Sequence, residues 1–285
     1  MYRKTELAIA IPASLVSDIS HLREKTARIG MIGRGAAIFR VNEVIIFLDD
    51  PTVNQTRDVN LMSMILSYME TPQYLRKYLF GVKPELRYAG ILPPLRTLHH
   101  PVIKKLRDLK VGEFREGVIV SRVKEGVLVD IGVERPFLVK DKDIKLNKRV
   151  TVRIAALSQK PEATIVNRRE VQTYWGFQVT AADMPLGQVV KQRGFDLVIA
   201  TSRLGTPFAN IKDAILTRWK NAHQVLVAFG APARGLYDIV RLENIVLDQI
   251  ANFVVNMIPS QGTETARTEE AVYASLAVLN AATMG

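Results

Sequence analysis

The pattern of apolar and polar positions predicts alternating strands and helices in the first part of the chain. ELAIAIPASL predicts a strand, SDISHLREKTARIG a helix and EVIIFLDD a second strand of the continuous apolar kind that is buried on both faces. VNLMSMILSYMETPQYLRKYLFG predicts helix, with a break near Thr71 because Pro72 follows it. Strands joined by helices favour a parallel α/β sheet.

The pattern changes after the prolines of AGILPPLRTLHHP. Between residues 112 and 156, valine-rich runs separated by glycine and charged residues predict a small antiparallel barrel. The α/β pattern returns after TYWGFQV with GFDLVIATS and QVLVAFGAP as strands, NIKDAILTRWKNA as a helix, LENIVLDQIANFVVNMIPS as a helix running into a strand, and TEEAVYASLAVLN as a closing helix. We therefore predict one α/β domain from residues 1–90 and 166–285, with an inserted barrel at 91–165.

The net charge of the chain is +11, and it is concentrated in the predicted barrel. Residues 91–170 hold 18 Lys and Arg against 10 Asp and Glu, whereas residues 171–285 hold nine of each. GVIVSRVKEGVLVDIGV, within this basic part, resembles the opening of S1-like OB domains. Because OB barrels bind nucleic acid on a basic face, the charge predicts a polyanionic partner.

Composition narrows the remaining function classes. The absence of cysteine excludes disulfides and thiolate zinc sites, and four histidines leave little for another metal site. No run approaches the roughly 18 apolar residues of a membrane span. We expect a cytoplasmic protein with neither a metal nor a membrane partner.

The glycine-rich stretch IGMIGRGAAI, residues 29–38, matches no phosphate-binding loop. GxxxxGK[ST] is absent, and GxGxxG fails after Gly35. The stretch does match the GxxG pattern of a KH module, but a KH loop joins two helices, and a predicted strand follows here. We interpret the stretch as a turn from a helix to a strand.

Three predicted strands in the last third end in small and polar residues, at 198–207, 227–235 and 255–271. Ligands of α/β sheets bind outside the carboxyl ends of the strands. Ordinary turns also favour such residues, but the three together predict a site for a flat ligand such as an adenosine.

The chain resembles the SPOUT-class, or trefoil-knot, RNA methyltransferases, in the archaeal and eukaryotic branch with an OB-like insertion. The segments that carry the resemblance are PQYLRK, YAGILPPL with the later HH pair, YWGF, FDLVIATS, VLVAFG and PSQGTETARTEEAVYASLAVL. The resemblance implies a knot over about 195–285, bound S-adenosyl-L-methionine and a homodimer. It also implies an RNA substrate, with ribosomal RNA and methylation at uridine N3 favoured.

The resemblance also assigns candidate site residues. The cofactor would contact three loops, named here the first loop (residues 201–205), the second loop (229–235) and the third loop (256–268), through Thr201, Ser202, Gly205, Phe229, Gly230, Gly235, Asn256, Ile258, Pro259, Gln261, Gly262, Thr263 and Thr268. Glycines there let the backbone approach the ligand. Three arginines are candidates for the catalytic role of holding the substrate and its developing charge: Arg34, Arg203 and Arg267.

Two other functions stay open at this stage. The same fold could act as an RNA-binding or ribosome-assembly protein without catalysis. It could also methylate tRNA or a ribose 2′-hydroxyl.

Overall fold

The computed structural model describes residues 5–141 and 143–284. Its strands and helices, in chain order, are β1 (Glu6–Pro12), α1 (Leu22–Ile38), β2 (Glu43–Leu48), α2 (Thr56–Glu70), α3 (Gln73–Leu79), β3 (Phe114–Val123), β4 (Gly126–Asp130), β5 (Phe137–Val139), β6 (Arg149–Ala156), β7 (Glu162–Val166), β8 (Gln178–Pro185), α4 (Leu186–Arg193), β9 (Leu197–Pro207), α5 (Phe208–Asn221), β10 (Gln224–Ala228), α6 (Leu236–Arg241), β11 (Phe253–Asn256) and α7 (Thr268–Met284).

These elements form two compact units. The sheet unit comprises residues 5–67, 85–94 and 177–284 of the described chain, and the barrel unit comprises 68–84, 95–141 and 143–176. In the sheet unit, the described strands form one sheet in the order β11-β9-β10-β1-β2-β8. Every neighbouring pair is parallel. The predicted parallel α/β sheet with an additional barrel is confirmed.

Both faces of the sheet are buried, as the continuous apolar strands predict. One face packs on α4 and α6 and contributes Ala8, Ala10, Ile45, Phe47, Val198, Ala200, Leu226 and Ala228. The alternate residues of the central strands, among them Ile9, Ile11, Val44 and Ile46, are fully buried on the other side. Helix α7 contacts both α1 and α5. No helix in the described residues is long and apolar enough to cross a membrane.

The glycine-rich stretch at 29–38 is the second half of α1, so our interpretation of it as a turn is wrong. Its glycines allow close packing of the helix. A Cβ atom at Gly30 would lie 2.9 Å from Leu92 Cδ2, and one at Gly35 would lie 3.1 Å from the ring of Tyr273. The helix ends at Ile38, and the turn into β2 follows at Arg40, whose φ is 55°. Glycine weakens an isolated helix, but here tertiary packing outweighs that local cost.

Several other elements differ from the prediction. Strands β7 and β8 and helix α4 were missed. A helix is expected from residue 242 onwards, but the helix in this part of the chain, α6, lies before that position and ends at Arg241. The strand predicted from GFDLVIATS, residues 194–202, is displaced towards the C-terminus, because β9 begins at Leu197 and continues to Pro207. Short polar stretches such as QVTAADMP in β8 carry little periodicity, so pairing with a neighbouring strand decides their structure.

The barrel unit contains a closed barrel of strands in the order β3-β4-β5-β7-β6. All pairs are antiparallel except β5 with β7. The sequence prediction placed the barrel at 91–165, whereas residues 68–84 also belong to this unit. Side chains of α3 hold them there: the hydroxyl of Tyr74 donates to the Glu116 carbonyl at 2.7 Å, and that of Tyr78 donates to Asp130 Oδ2 at 2.7 Å.

A buried network of charged groups lies in the barrel unit. Glu70 is paired with Arg149 at 2.5 Å and with Arg168 at 3.1 Å, and Glu116 is paired with Arg149 at 2.5 Å. Burial raises the pKa of Glu70, but the guanidiniums of Arg149 and Arg168 and a hydrogen bond from His99 outweigh burial and lower it to about 2. Glu116 Oε1 also accepts from Thr151 and from the indole of Trp175. The sequence marks His99 and Trp175 only as residues next to a linker.

Candidate active site

A cavity of about 560 Å³ lies in the sheet unit, at the carboxyl ends of β10 and β11 and beside the C-terminal half of β9. This is the edge of the sheet at which the sequence predicts a ligand. The first, second and third loops and one side each of α6 and α7 form its wall, through Thr201, Ser202, Arg203, Leu204, Phe229, Gly230, Ala231, Pro232, Ala233, Arg234, Gly235, Tyr237, Asp238, Arg241, Asn256, Met257, Ile258, Gln261, Thr265, Ala266, Thr268, Ala271 and Ser275.

The first loop is an insertion within β9. Ala200 pairs with Val254 of β11 and Thr206 pairs with the next residue, Val255, so residues 201–205 bulge out of the sheet. The bulge is tied to its neighbours by hydrogen bonds. Thr201 Oγ1 donates to the Ala228 carbonyl at 2.9 Å, and Arg203 Nη1 donates to the Glu264 carbonyl at 2.8 Å.

The second loop follows β10 and is closed by a backbone hydrogen bond from Ala231 N–H to the Arg234 carbonyl at 2.9 Å. The guanidinium of Arg234 pairs with the carboxylate of Asp50, just beyond β2. Hydrogen bonds from Thr52 and the pairing with Arg234 lower the pKa of Asp50 to about 2. An ionised Asp50 therefore anchors the side of the second loop that carries Arg234.

The third loop connects β11 to α7. Asn256 bridges the first and third loops, because its Nδ2 donates to the Arg203 carbonyl at 3.0 Å while its Oδ1 accepts from Ile258 N–H at 3.0 Å. At the other end of the loop, Thr268 Oγ1 donates to the Gly230 carbonyl at 2.9 Å. The three loops are thus cross-linked into one wall.

Most of the predicted cofactor residues are brought together here. Nine of them line the cavity: Thr201, Ser202, Phe229, Gly230, Gly235, Asn256, Ile258, Gln261 and Thr268. Gly205, Pro259, Gly262 and Thr263 are not part of its wall. Gly205 packs on β11, where a Cβ atom would lie 2.7 Å from the Val254 carbonyl oxygen. Gly262 is exposed, and a Cβ atom there would meet nothing within 4 Å.

The three candidate catalytic arginines occupy different places in the sheet unit. Arg203 lines the cavity, whereas Arg34 and Arg267 do not. Arg34, in the second half of α1 rather than in a loop, donates from Nη1 to the Pro94 carbonyl at 2.9 Å. Arg267 is exposed just before α7, and its backbone N–H donates to Glu270 Oε2 at 2.9 Å.

Sequence reasoning missed several members of the wall, namely Arg234, Tyr237, Asp238, Arg241 and Ser275. Ser275 could have been predicted from helical spacing, because Thr268, Ala271 and Ser275 are three and four residues apart and lie on one side of α7. The wall combines apolar side chains such as Phe229 and Met257 with hydroxyls, guanidiniums and the carboxylate of Asp238. In the described residues, no group of three or more His, Asp or Glu is placed to hold a metal ion. Such a wall suits an organic ligand with both apolar and charged parts.

Residues 6–279 match the model of a protein family described as "Putative RNA methyltransferase". The chain is 34% identical to a 28S rRNA (uridine-N(3))-methyltransferase of Drosophila melanogaster, over 96% of this chain and 61% of that protein. It is 34% identical to the protein of the same name in Mus musculus, over 97% of this chain and 76% of that protein. An uncharacterised protein of Haloarcula marismortui is 32% identical, over 95% of this chain and 98% of its own length.

Proposed function

Because this chain belongs to the RNA methyltransferase family whose model it matches over residues 6–279, we propose that it transfers a methyl group from S-adenosyl-L-methionine to N3 of a uridine in ribosomal RNA. The names of the fly and mouse relatives support the position of the methyl group and the class of RNA. This chain spans 61% of the fly protein, so the activity of that whole protein is part of the proposal.

The observation that carries the proposal is the cavity formed by the three loops. Its volume of about 560 Å³ lies within the range of about 300–1,000 Å³ that small-molecule pockets span. Buried Phe229 and Met257 offer apolar surface for a base, and Arg234 and Arg241 offer cations for a carboxylate. The residues present therefore fit the two ends of S-adenosyl-L-methionine.

S-adenosyl-L-methionine, when bound, supplies a methyl group on a positively charged sulfur, which becomes a neutral thioether after transfer. The protein must position the acceptor and accommodate its charge. Uridine N3 gives its proton to solvent, and the negative charge left on the ring spreads onto the two flanking carbonyl oxygens until the methyl group bonds to N3. Arg203 is the candidate donor to one of these oxygens, since its guanidinium is held at the cavity wall by the Glu264 carbonyl.

We also propose that two copies of the chain assemble into a homodimer, in which Arg34 acts on the substrate of the partner copy. Arg34 does not line the cavity of its own chain. On the same side of α1, Met31 and Ile38 are 43% and 48% exposed, which supports a second copy packing there. The basic barrel is proposed to bind the RNA, and the lack of cysteine in the sequence supports a cytoplasmic site of action.

The main test combines binding with product analysis. The full chain is titrated with S-adenosyl-L-methionine by calorimetry and then incubated with rRNA and tRNA from cells that lack the protein. Mass spectrometry of the nucleosides is expected to find 3-methyluridine in rRNA. A ribose-methylated or tRNA product would contradict the proposed acceptor. Failure of the folded chain to bind the donor would favour a non-catalytic RNA-binding protein.

Mixed dimers test the role of Arg34. Arg34→Ala and Arg203→Ala are each expected to be inactive while retaining their fold. Mixed and allowed to exchange subunits, they should regain activity, because one site then receives an intact Arg203 from its own chain and an intact Arg34 from the partner. Activity that stays absent in verified mixed dimers would contradict the assignment of Arg34 to the partner's site.

A further inference from the structure

One buried hydroxyl in the cavity wall has no hydrogen-bond partner within the described part of the chain. Ser275 is 1% exposed, and its Oγ is unpaired. Other helical hydroxyls of this protein bond to the carbonyl four residues earlier: Thr26 to Leu22 at 2.7 Å, and Thr283 to Leu279 at 2.7 Å. Since buried polar groups are almost always paired, the hydroxyl of Ser275 requires an explanation.

Three other hydroxyls of the cavity wall form hydrogen bonds within the protein. Thr201 and Thr268 donate to the carbonyls of Ala228 and Gly230, and the Oγ of Ser202 accepts from Leu204 N–H at 3.1 Å. These bonds hold the loops together. Ser275 contributes nothing of this kind, although it lines the same cavity. Its hydroxyl is therefore available to a ligand.

We propose that the hydroxyl of Ser275 forms a hydrogen bond to the adenine base of the methyl donor. This inference rests on the proposed function, because it takes the adenosyl group to be the ligand. It adds a binding residue on α7 to a site that the sequence assigned almost wholly to loops.

Because Ser275 is buried, the adenine base is a better partner for its hydroxyl than the charged parts of the methyl donor. Ser275 is among the most buried members of the wall, together with Phe229, at 0% exposed. The cations are more open, since the side chain of Arg234 is 38% exposed and that of Arg241 is 80% exposed. A charged amino-acid tail belongs near those cations. A planar, uncharged base with polar edge atoms suits the buried part of the wall where the unpaired hydroxyl of Ser275 lies.

The decisive variant is Ser275→Ala, measured against Ser63→Ala. Ser63 on α2 also has a buried Oγ without a partner among the described residues, but it does not line the cavity. Calorimetry with S-adenosyl-L-homocysteine should show at least about a threefold loss of affinity for Ser275→Ala, because the base would lose its partner in a buried site. Ser63→Ala should leave the affinity unchanged. A smaller loss for Ser275→Ala, or an equal loss in both variants, would overturn the proposal.

Thermal unfolding without ligand separates a binding role from a structural one. Removing an unpaired buried hydroxyl should leave the midpoint of Ser275→Ala unchanged or raise it, as in Ser63→Ala. A lowered midpoint would indicate a missed structural bond and would count against the proposal.

Analogues of adenosine that each lack one polar atom of the base test which atom the Ser275 hydroxyl contacts. Adenosine, purine riboside and the 1-, 3- and 7-deaza adenosines are titrated into the wild-type chain and Ser275→Ala. The effect of the substitution should vanish for the analogue that lacks the contacted atom, and an equal effect for all five would place the contact elsewhere. The two failures are distinguishable, because a wild-type chain that binds no adenosyl compound refutes the proposed function, whereas binding unaffected by Ser275→Ala refutes only this inference.

Discussion

The buried carboxylates of the barrel unit and the buried hydroxyl of the cavity wall differ in whether the protein itself satisfies them. In the barrel unit, both oxygens of Glu70 and both oxygens of Glu116 accept hydrogen bonds from side chains of the same unit. In the sheet unit, the cavity keeps a buried hydroxyl on Ser275 that no described protein group satisfies. A saturated network has no bonding capacity left for a ligand, whereas an unsaturated wall has.

The difference indicates which of the two regions has a structural role and which has groups available to bind a ligand. Both regions contain arginines, and composition alone would mark the charged barrel as the reactive part. Yet the carboxylates that burial would most perturb are neutralised by fixed guanidiniums, so the network is part of the structure of the unit, and removal of one partner should destabilise it. The cavity has few titratable groups, as methyl transfer from a sulfonium requires little acid–base chemistry.

The largest effect is expected when the saturated network is broken. Glu70→Gln leaves the guanidiniums of Arg149 and Arg168 without their shared charge, which should lower the free energy of unfolding by about 3–5 kcal/mol. Urea unfolding measures this loss, with Glu125→Gln in the exposed β3–β4 turn as the unchanged control. The affinity of the folded variant for S-adenosyl-L-homocysteine should not change. A loss below about 1 kcal/mol would mean that solvent screens the pair.

A smaller effect is expected from a pair of glycine substitutions in the loops. Gly205→Ala places a methyl group 2.7 Å from the backbone of β11, so the first loop must shift. We expect a loss of about 1–3 kcal/mol in stability and weaker binding of S-adenosyl-L-homocysteine. Gly262→Ala meets no atom within 4 Å and should change the free energy of unfolding by less than about 0.5 kcal/mol. Equal effects on binding would show that proximity to the sheet does not decide the shape of the cavity.

The smallest effect concerns pH and the barrel unit. Burial, assisted by the neighbouring His99, lowers the pKa of His100 from 6.5 to about 4, while its Nε2 lies 2.7 Å from the Glu70 carbonyl. Between those values the unfolded chain binds a proton that the folded chain does not, so stability should fall as the pH falls. Thermal midpoints from pH 7 to about 5.5 measure the slope, above the range in which the Glu70 carboxyl of the unfolded chain, with its ordinary pKa of 4.5, takes up a proton. His100→Gln should flatten it.

The control for that series is the same substitution at an exposed histidine. His21 lies on the surface before α1, so His21→Gln should retain the slope of the wild-type chain. If both variants kept the slope, groups other than His100 would carry the pH dependence.

The buried strands and most residues of the cavity follow from the sequence, whereas the packing of residues 29–38 does not. Continuous apolar runs predicted β1, β2, β9 and β10, because a strand buried on both faces requires apolar residues throughout. Nine of the thirteen predicted cofactor residues meet in one cavity, because the carboxyl ends of neighbouring parallel strands lie at one edge of a sheet. The glycines of 29–38 misled the prediction, since local propensity gives no information about the ring of Tyr273 that packs there.

By itself, the sequence determined the fold class, the basic character of the barrel and the strands whose C-terminal residues line the cavity. Each follows from composition or from periodicity along the chain, which act locally. The tertiary structure alone decided that Arg203 joins the cavity while Arg34 does not, that Glu70 is neutralised by Arg149, and that Ser275 is buried without a partner. These facts depend on residues far apart in the chain, and only packing determines which of them meet and which polar atoms remain unpaired.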